Sequence, residues 1–141
     1  ELFFKKTHLP EMLETSRCKL DVEVETLMMI DSLDIKSSDI KKIVSKCKNS
    51  KHKRIVITHG TDTMVNTAEA IAKAKLDKTI ILTGAMVPYE FGSSSDGFFN
   101  LGCALSFVQT FEKGVYITMH GKYFNWNEVK KNNKKGIFEK K

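Results

Sequence analysis

Apolar positions along this chain change their period several times, and the changes mark out elements. Residues 54–58, Arg-Ile-Val-Ile-Thr, are a short β-branched run, the pattern of a strand buried on both faces. Gly60 ends it. Thr61 and Asp62 follow, both good N-cap residues, and from Met64 apolar side chains return at helical spacing through Ala68, Ile71 and Ala72. A helix is predicted over 63–75. Residues 79–83 and 114–119 are two more β-branched runs, and Asn100, Leu101, Ala104, Leu105 and Val108 mark a helix between them. Residues 23–30 alternate charged and apolar side chains, then become continuously apolar, which predicts an earlier strand ending at Asp31 and Ser32. Ser37, Ser38 and Asp39 open a helix with Ile40, Ile43, Val44 and Cys47 on one face. Residues 9–13 allow a short helix with Pro10 in its first turn. Residues 123–129 read as a short strand or hairpin arm.

Strands that alternate with helices argue a parallel sheet with right-handed crossovers. The predicted fold is α/β: a mainly parallel sheet flanked by helices on both faces, in one domain over residues 1–141. Three predicted strands run into polar loops, at Asp31-Ser32, at Gly60-Thr61-Asp62 and at Gly84-Ala85-Met86. In a parallel sheet those ends share one edge, so topology alone predicts a small polar site there.

Composition narrows the classes. The chain is 141 residues long and 41% hydrophobic, with no apolar run of about eighteen residues, so no transmembrane helix is expected. Residues 1–6 lack the pattern of a signal peptide. Cys18, Cys47 and Cys103 are few and widely spaced, as free thiols in a reducing cytoplasm would be. Net charge is +6, and Lys130, Lys131, Lys134, Lys135, Lys140 and Lys141 crowd the last dozen residues. Only Phe138 is interleaved with them, too little for a nucleic-acid surface. That tail is expected to be solvated and frayed. No HxxxH, CxxC, GxGxxG or GxxxxGK[ST] spacing occurs, so neither a metal nor a nucleotide cofactor is expected, and His59 reads as a packed turn histidine.

His59-Gly60-Thr61-Asp62-Thr63-Met64, preceded by a Val-Ile-Thr strand, resembles the second signature of the bacterial-type L-asparaginases (asparaginase/glutaminase family). Residues 81–86, 95–101, 31–34 and 129–133 resemble the same family in the same order, so the resemblance covers roughly residues 25–138. It implies the amino-terminal domain of an amidohydrolase that converts L-asparagine to L-aspartate and ammonia through an acyl-enzyme on a threonine. It also implies a cytoplasmic homodimer or homotetramer with no cofactor, no nucleic acid and no membrane partner.

Spacing alone favours helix capping for Thr61 and Asp62, and a turn hydroxyl for Ser32. The resemblance assigns them otherwise. Asp62 would pair with the substrate α-amino group, Ser32 with its carboxylate, and Leu33 would contact substrate through its backbone. The Ala85 carbonyl would face the scissile amide. Lys131 would hydrogen-bond Thr61 and complete a Thr–Lys–Asp set, with Lys130 its rival by register, and Asp96 would pack the site from behind. Leu33 departs from the commoner polar residue of the family. The Thr-Gly-Gly-Thr turn that supplies the family's attacking threonine does not occur, since residues 1–59 contain no glycine. The expectation is a domain without its first strand, its lid and its carboxyl-terminal partner domain. The alternative is an inactive module of the same fold that binds an amino acid or serves structure alone.

Overall fold

The computed structural model describes residues 8–28, 32–87 and 94–141. Three parallel strands form its spine: β1 (Arg54–Thr58), β2 (Thr79–Thr83) and β3 (Gly114–Met119). β4 (Lys122–Asn125) returns antiparallel to β3. The order is β1-β2-β3-β4, with Thr58 level with Thr83, and Ile81 level with Tyr116. Helix α1 (Leu9–Thr15) carries Pro10 in its first turn, as its sequence predicts. Helices α2 (Ser37–Asn49), α3 (Met64–Lys73) and α4 (Gly97–Val108) complete the layers.

Alternation in β2 divides the core. Ile80 and Leu82 pack with Ile43, Ala68 and Ile71 of α2 and α3, whereas Ile81 faces Ala104 and Val108 of α4. The sheet is therefore covered on both faces, and every residue of β2 is buried. Burial on both faces explains why these strands read as continuous apolar runs.

The ends of α2 are held by long-range and local charge. The Asp39 carboxylate accepts from the Lys36 N–H at 2.9 Å at its start. At its other end the buried Lys78 ammonium donates to the Cys47 and Ser50 carbonyls, each at 2.5 Å. A cation against carbonyls that lack helical partners satisfies both groups.

Two sequence expectations fail. Residues 23–28 form no strand, although the alternation predicts one; residues 29–31 lie outside the described residues. A strand needs a ladder partner, and none runs beside this segment among the described residues. It is tied instead by ion pairs, Glu25 to Lys46 at 2.7 Å and Glu23 to His52 at 2.9 Å. The lysine-rich end is not frayed either. It folds as an antiparallel hairpin, β5 (Val129–Asn132) with β6 (Ile137–Lys140). Val129 and Phe138 are buried in the main core, and that burial fixes the hairpin despite its charge. No described helix is long and apolar enough to cross a membrane.

Candidate active site

The carboxyl ends of β1 and β2 bring two turns side by side. The His59 N–H donates to the Thr83 carbonyl at 2.8 Å, which extends the ladder past both strands. Gly84 follows Thr83, and a Cβ there would overlap the His59 carbonyl oxygen. Only glycine lets the turns approach so closely.

His59 fixes the first turn. Its Nδ1 lies 2.7 Å from the Gly60 carbonyl and its Nε2 2.8 Å from Thr67 Oγ1 on α3. A carbonyl can only accept, so Nδ1 carries the proton and Nε2 accepts from the Thr67 hydroxyl. Burial holds the ring below its ordinary pKa of 6.5, against the opposing pull of the Gly60 carbonyl. It is a packed turn histidine.

Thr61 and Asp62 do not cap α3. The N-cap is Thr63, and its side chain makes no capping bond. Both residues precede the helix and face β5. Lys131 Nζ donates to Thr61 Oγ1 at 2.8 Å and to Asp62 Oδ1 at 2.7 Å, across about seventy residues of chain. Thr61 is buried, the Lys131 side chain is 14% exposed and that of Asp62 40%. The strand period explains why Lys131 and not its neighbour makes this contact. Val129 is fully buried, so Lys131, two residues on, shares its inward face. Lys130 points the other way, exposed, 3.9 Å from Glu139.

Ser32 opens a single 3-10 turn, Ser32–Asp34, and its side chain is outside the described residues. Leu33 is 73% exposed on that turn. Ala85 is half-buried immediately after Gly84. The structure therefore brings Thr61, Asp62 and Lys131 into contact, with Ala85 on the adjacent turn.

Asp96 lies behind Ala85. Its carboxylate accepts from the Met86 N–H at 3.0 Å, the Val87 N–H at 2.9 Å and Asn100 Nδ2 at 3.0 Å. His120 Nε2 lies 2.7 Å from the same carboxylate. Burial pushes the Asp96 carboxyl up, but the two backbone N–H groups and the His120 ring outweigh it and hold it below its ordinary 3.8. Nothing along the chain points to His120 in this role, because it stands 24 residues from Asp96 and only the β3–β4 turn brings it there.

Among the described residues no three His, Cys, Asp or Glu side chains cluster as metal ligands. A hollow at the opposite, amino-terminal edge of the strands is lined by Lys53, Arg54, Lys78 and Lys113 among others. Arg54 and Lys78 there are occupied by backbone carbonyls, so the hollow is a structural seam and not a rival site.

Comparison with known proteins identifies the family. The family model for the asparaginase N-terminal domain matches residues 4–138. Among curated relatives, a glutamyl-tRNA(Gln) amidotransferase subunit of Pyrococcus abyssi is 34% identical over 118 residues, which is 80% of this chain and 26% of that protein. L-asparaginase 2 of Escherichia coli is 37% identical over 97 residues, 66% of this chain and 27% of that protein. The crystal structure of a probable cytoplasmic L-asparaginase from Campylobacter jejuni superposes with a TM-score of 0.74 at 30% identity, over 87% of this chain and 42% of that one. The chain thus spans about a quarter of the length of these curated relatives. With its model matched over nearly every residue and its fold shared with solved members, the chain belongs to the asparaginase N-terminal domain family.

Proposed function

We propose that residues 1–141 form the α-amino-acid-binding part of an amidohydrolase acting on a side-chain amide, L-asparagine foremost. The observation that carries this is the Lys131 ammonium shared between Thr61 and Asp62 at the carboxyl edge of the sheet. Asp62, half in solvent, offers its carboxylate to a substrate α-ammonium. Ser32 takes the α-carboxylate, with Leu33 beside it, and the Ala85 carbonyl faces the amide nitrogen. Thr61 relays a proton between Lys131 and the water or hydroxyl at the reacting carbon. When a second cation arrives on Asp62, Lys131 shares its counter-ion with the substrate α-ammonium.

In this reading the attacking threonine belongs to a Thr-Gly-Gly-Thr turn, which these 141 residues do not contain. The product of attack is an acyl-enzyme with ammonia released, and water then hydrolyses it to L-aspartate. The working protein is a cytoplasmic homodimer or homotetramer, needs no cofactor and binds neither nucleic acid nor membrane.

A second reading is favoured by the amidotransferase relatives, which cover 80% of this chain. In it the same site releases ammonia from an amide for use by an amidotransferase. An inactive amino-acid-binding module is the third outcome. Ammonia release from L-asparagine and from L-glutamine decides among them. It is measured with residues 1–141 joined to a strand ending in Thr-Gly-Gly-Thr and to a carboxyl-terminal domain. Turnover abolished by Asp62→Ala supports the proposal; turnover that survives Asp62→Ala removes this site from the chemistry.

A further inference from the structure

We infer that His120 is a positioning residue, which sets the direction of the Ala85 carbonyl by holding Asp96. The inference rests on the reading above that this carbonyl faces substrate.

The geometry begins with Asn100, which is fully buried at the first turn of α4. Its Nδ2 donates to the Gly84 carbonyl at 2.9 Å and to Asp96 Oδ2 at 3.0 Å. Its Oδ1 accepts from the His120 N–H at 2.9 Å. Asp96 in turn accepts from the Met86 and Val87 N–H groups. The peptide groups on both sides of Ala85 are therefore pinned. Gly84 C=O points at Asn100, so the Ala85 N–H, trans across that peptide, points away from it. Met86 N–H points at Asp96, so the Ala85 carbonyl points away from Asp96. Asp96 thus aims the carbonyl from behind, without touching what lies in front of it.

His120 completes the cage around Asp96. An ionised carboxylate only accepts, so Nε2 of His120 carries the proton and donates to Oδ2. The Asp96 side chain is 19% exposed and that of His120 33%. The ring thus closes the carboxylate's partly open side with a charge-assisted bond, stronger than a neutral one. Without that donor the carboxylate is freer to turn towards water, and its grip on Met86 and Val87 loosens.

The β3–β4 turn makes the test clean. His120 and Gly121 adopt φ of 55° and 84°, a two-residue hairpin turn. Asparagine tolerates positive φ better than other side chains, so His120→Asn keeps the turn while placing its donor one bond short. His120→Gln restores the number of bonds. Amide proton exchange of residues 1–141, read by NMR, reports Met86 and Val87 without any substrate.

His120→Asn should raise exchange at Met86 and Val87 by about tenfold, with β4 amides unchanged and His120→Gln recovering part of the loss. Exchange at Met86 and Val87 within about twofold of the parent chain overturns the inference. L-asparagine titrations separate it from the reading of the site. If exchange rises and L-asparagine moves no resonance of the parent chain, His120 still positions Asp96 and the substrate assignment fails. If L-asparagine binds and His120→Asn alters neither exchange nor affinity, the inference about His120 fails alone.

Discussion

Lys131 shows how strand period gives one side chain its contacts. It shares the inward face of Val129, so the burial that folds the hairpin also drives an ammonium to Thr61 and Asp62. In an enzyme carrying residues 1–141, Lys131→Met should lower kcat by about a hundredfold or more with KM changed far less, as expected for loss of a proton-transfer partner. Lys130→Met should be near silent, because Lys130 is exposed on the other face of β5, 3.9 Å from Glu139. Steady-state kinetics of the two variants check this, and the reverse pattern would shift the site by one residue. Asp62→Ala should cut kcat/KM sharply. The Asp62–Lys131 ion pair is part-exposed and no cap is lost, so stability should change by only about 1 kcal/mol. Thermal unfolding alongside the kinetics separates the two effects. His59 gives a pH dependence. Its folded-state pKa lies below 6.5, so the unfolded chain binds the proton first as pH falls. The stability it contributes is complete above 6.5 and is lost as pH falls from there through the folded-state value. Tm measured from about pH 8 to pH 5 should therefore decline, and His59→Gln should flatten the decline.

At the scale of elements, what was legible along the chain is what burial enforces locally. β1, β2 and β3 were readable because both faces are covered, and the α2 and α3 stripes because one face meets the sheet. Residues 23–28 misled, because alternation describes a strand's faces but not whether a neighbour offers it hydrogen bonds. The carboxyl-terminal hairpin was hidden by six lysines, although Val129 and Phe138 hold it to the core. The contact of Lys131 with Thr61 and Asp62 was legible from resemblance, and the capping role that spacing favours was not realised. Asp96 and Asn100 are neighbours at the first turn of α4, but His120 could not be grouped with them from the chain, since only the β3–β4 turn brings it there. Links between elements give their own prediction. Lys78→Met removes the ammonium from the carbonyls ending α2 and leaves them in a part-buried seam. That should cost about 1–3 kcal/mol, visible as a lower denaturant midpoint with little change in slope.

For the whole molecule, two features bear on association and activity. Among the described residues β1 pairs only with β2, which leaves its outer edge unpaired within them, and Leu20, Val22, Val24 and Leu27 are exposed. An open edge and scattered apolar side chains favour pairing with another chain. Size-exclusion of residues 1–141 should show dimers or larger, and a monomer at all concentrations would contradict this. The isolated 141 residues should also release ammonia from L-asparagine at background, because binding without a nucleophile gives little acceleration. Binding itself is the most direct test of the Thr61–Asp62–Lys131 site. L-aspartate, the product, should bind residues 1–141 saturably, with about millimolar affinity for a partial site, and move the NMR resonances of Thr61, Asp62 and Lys131. Asp62→Ala should abolish those shifts, as should replacing the ligand with succinate, which lacks the α-amino group. Shifts confined to other residues, or binding undiminished in Asp62→Ala, would show that this cluster is not an amino-acid site.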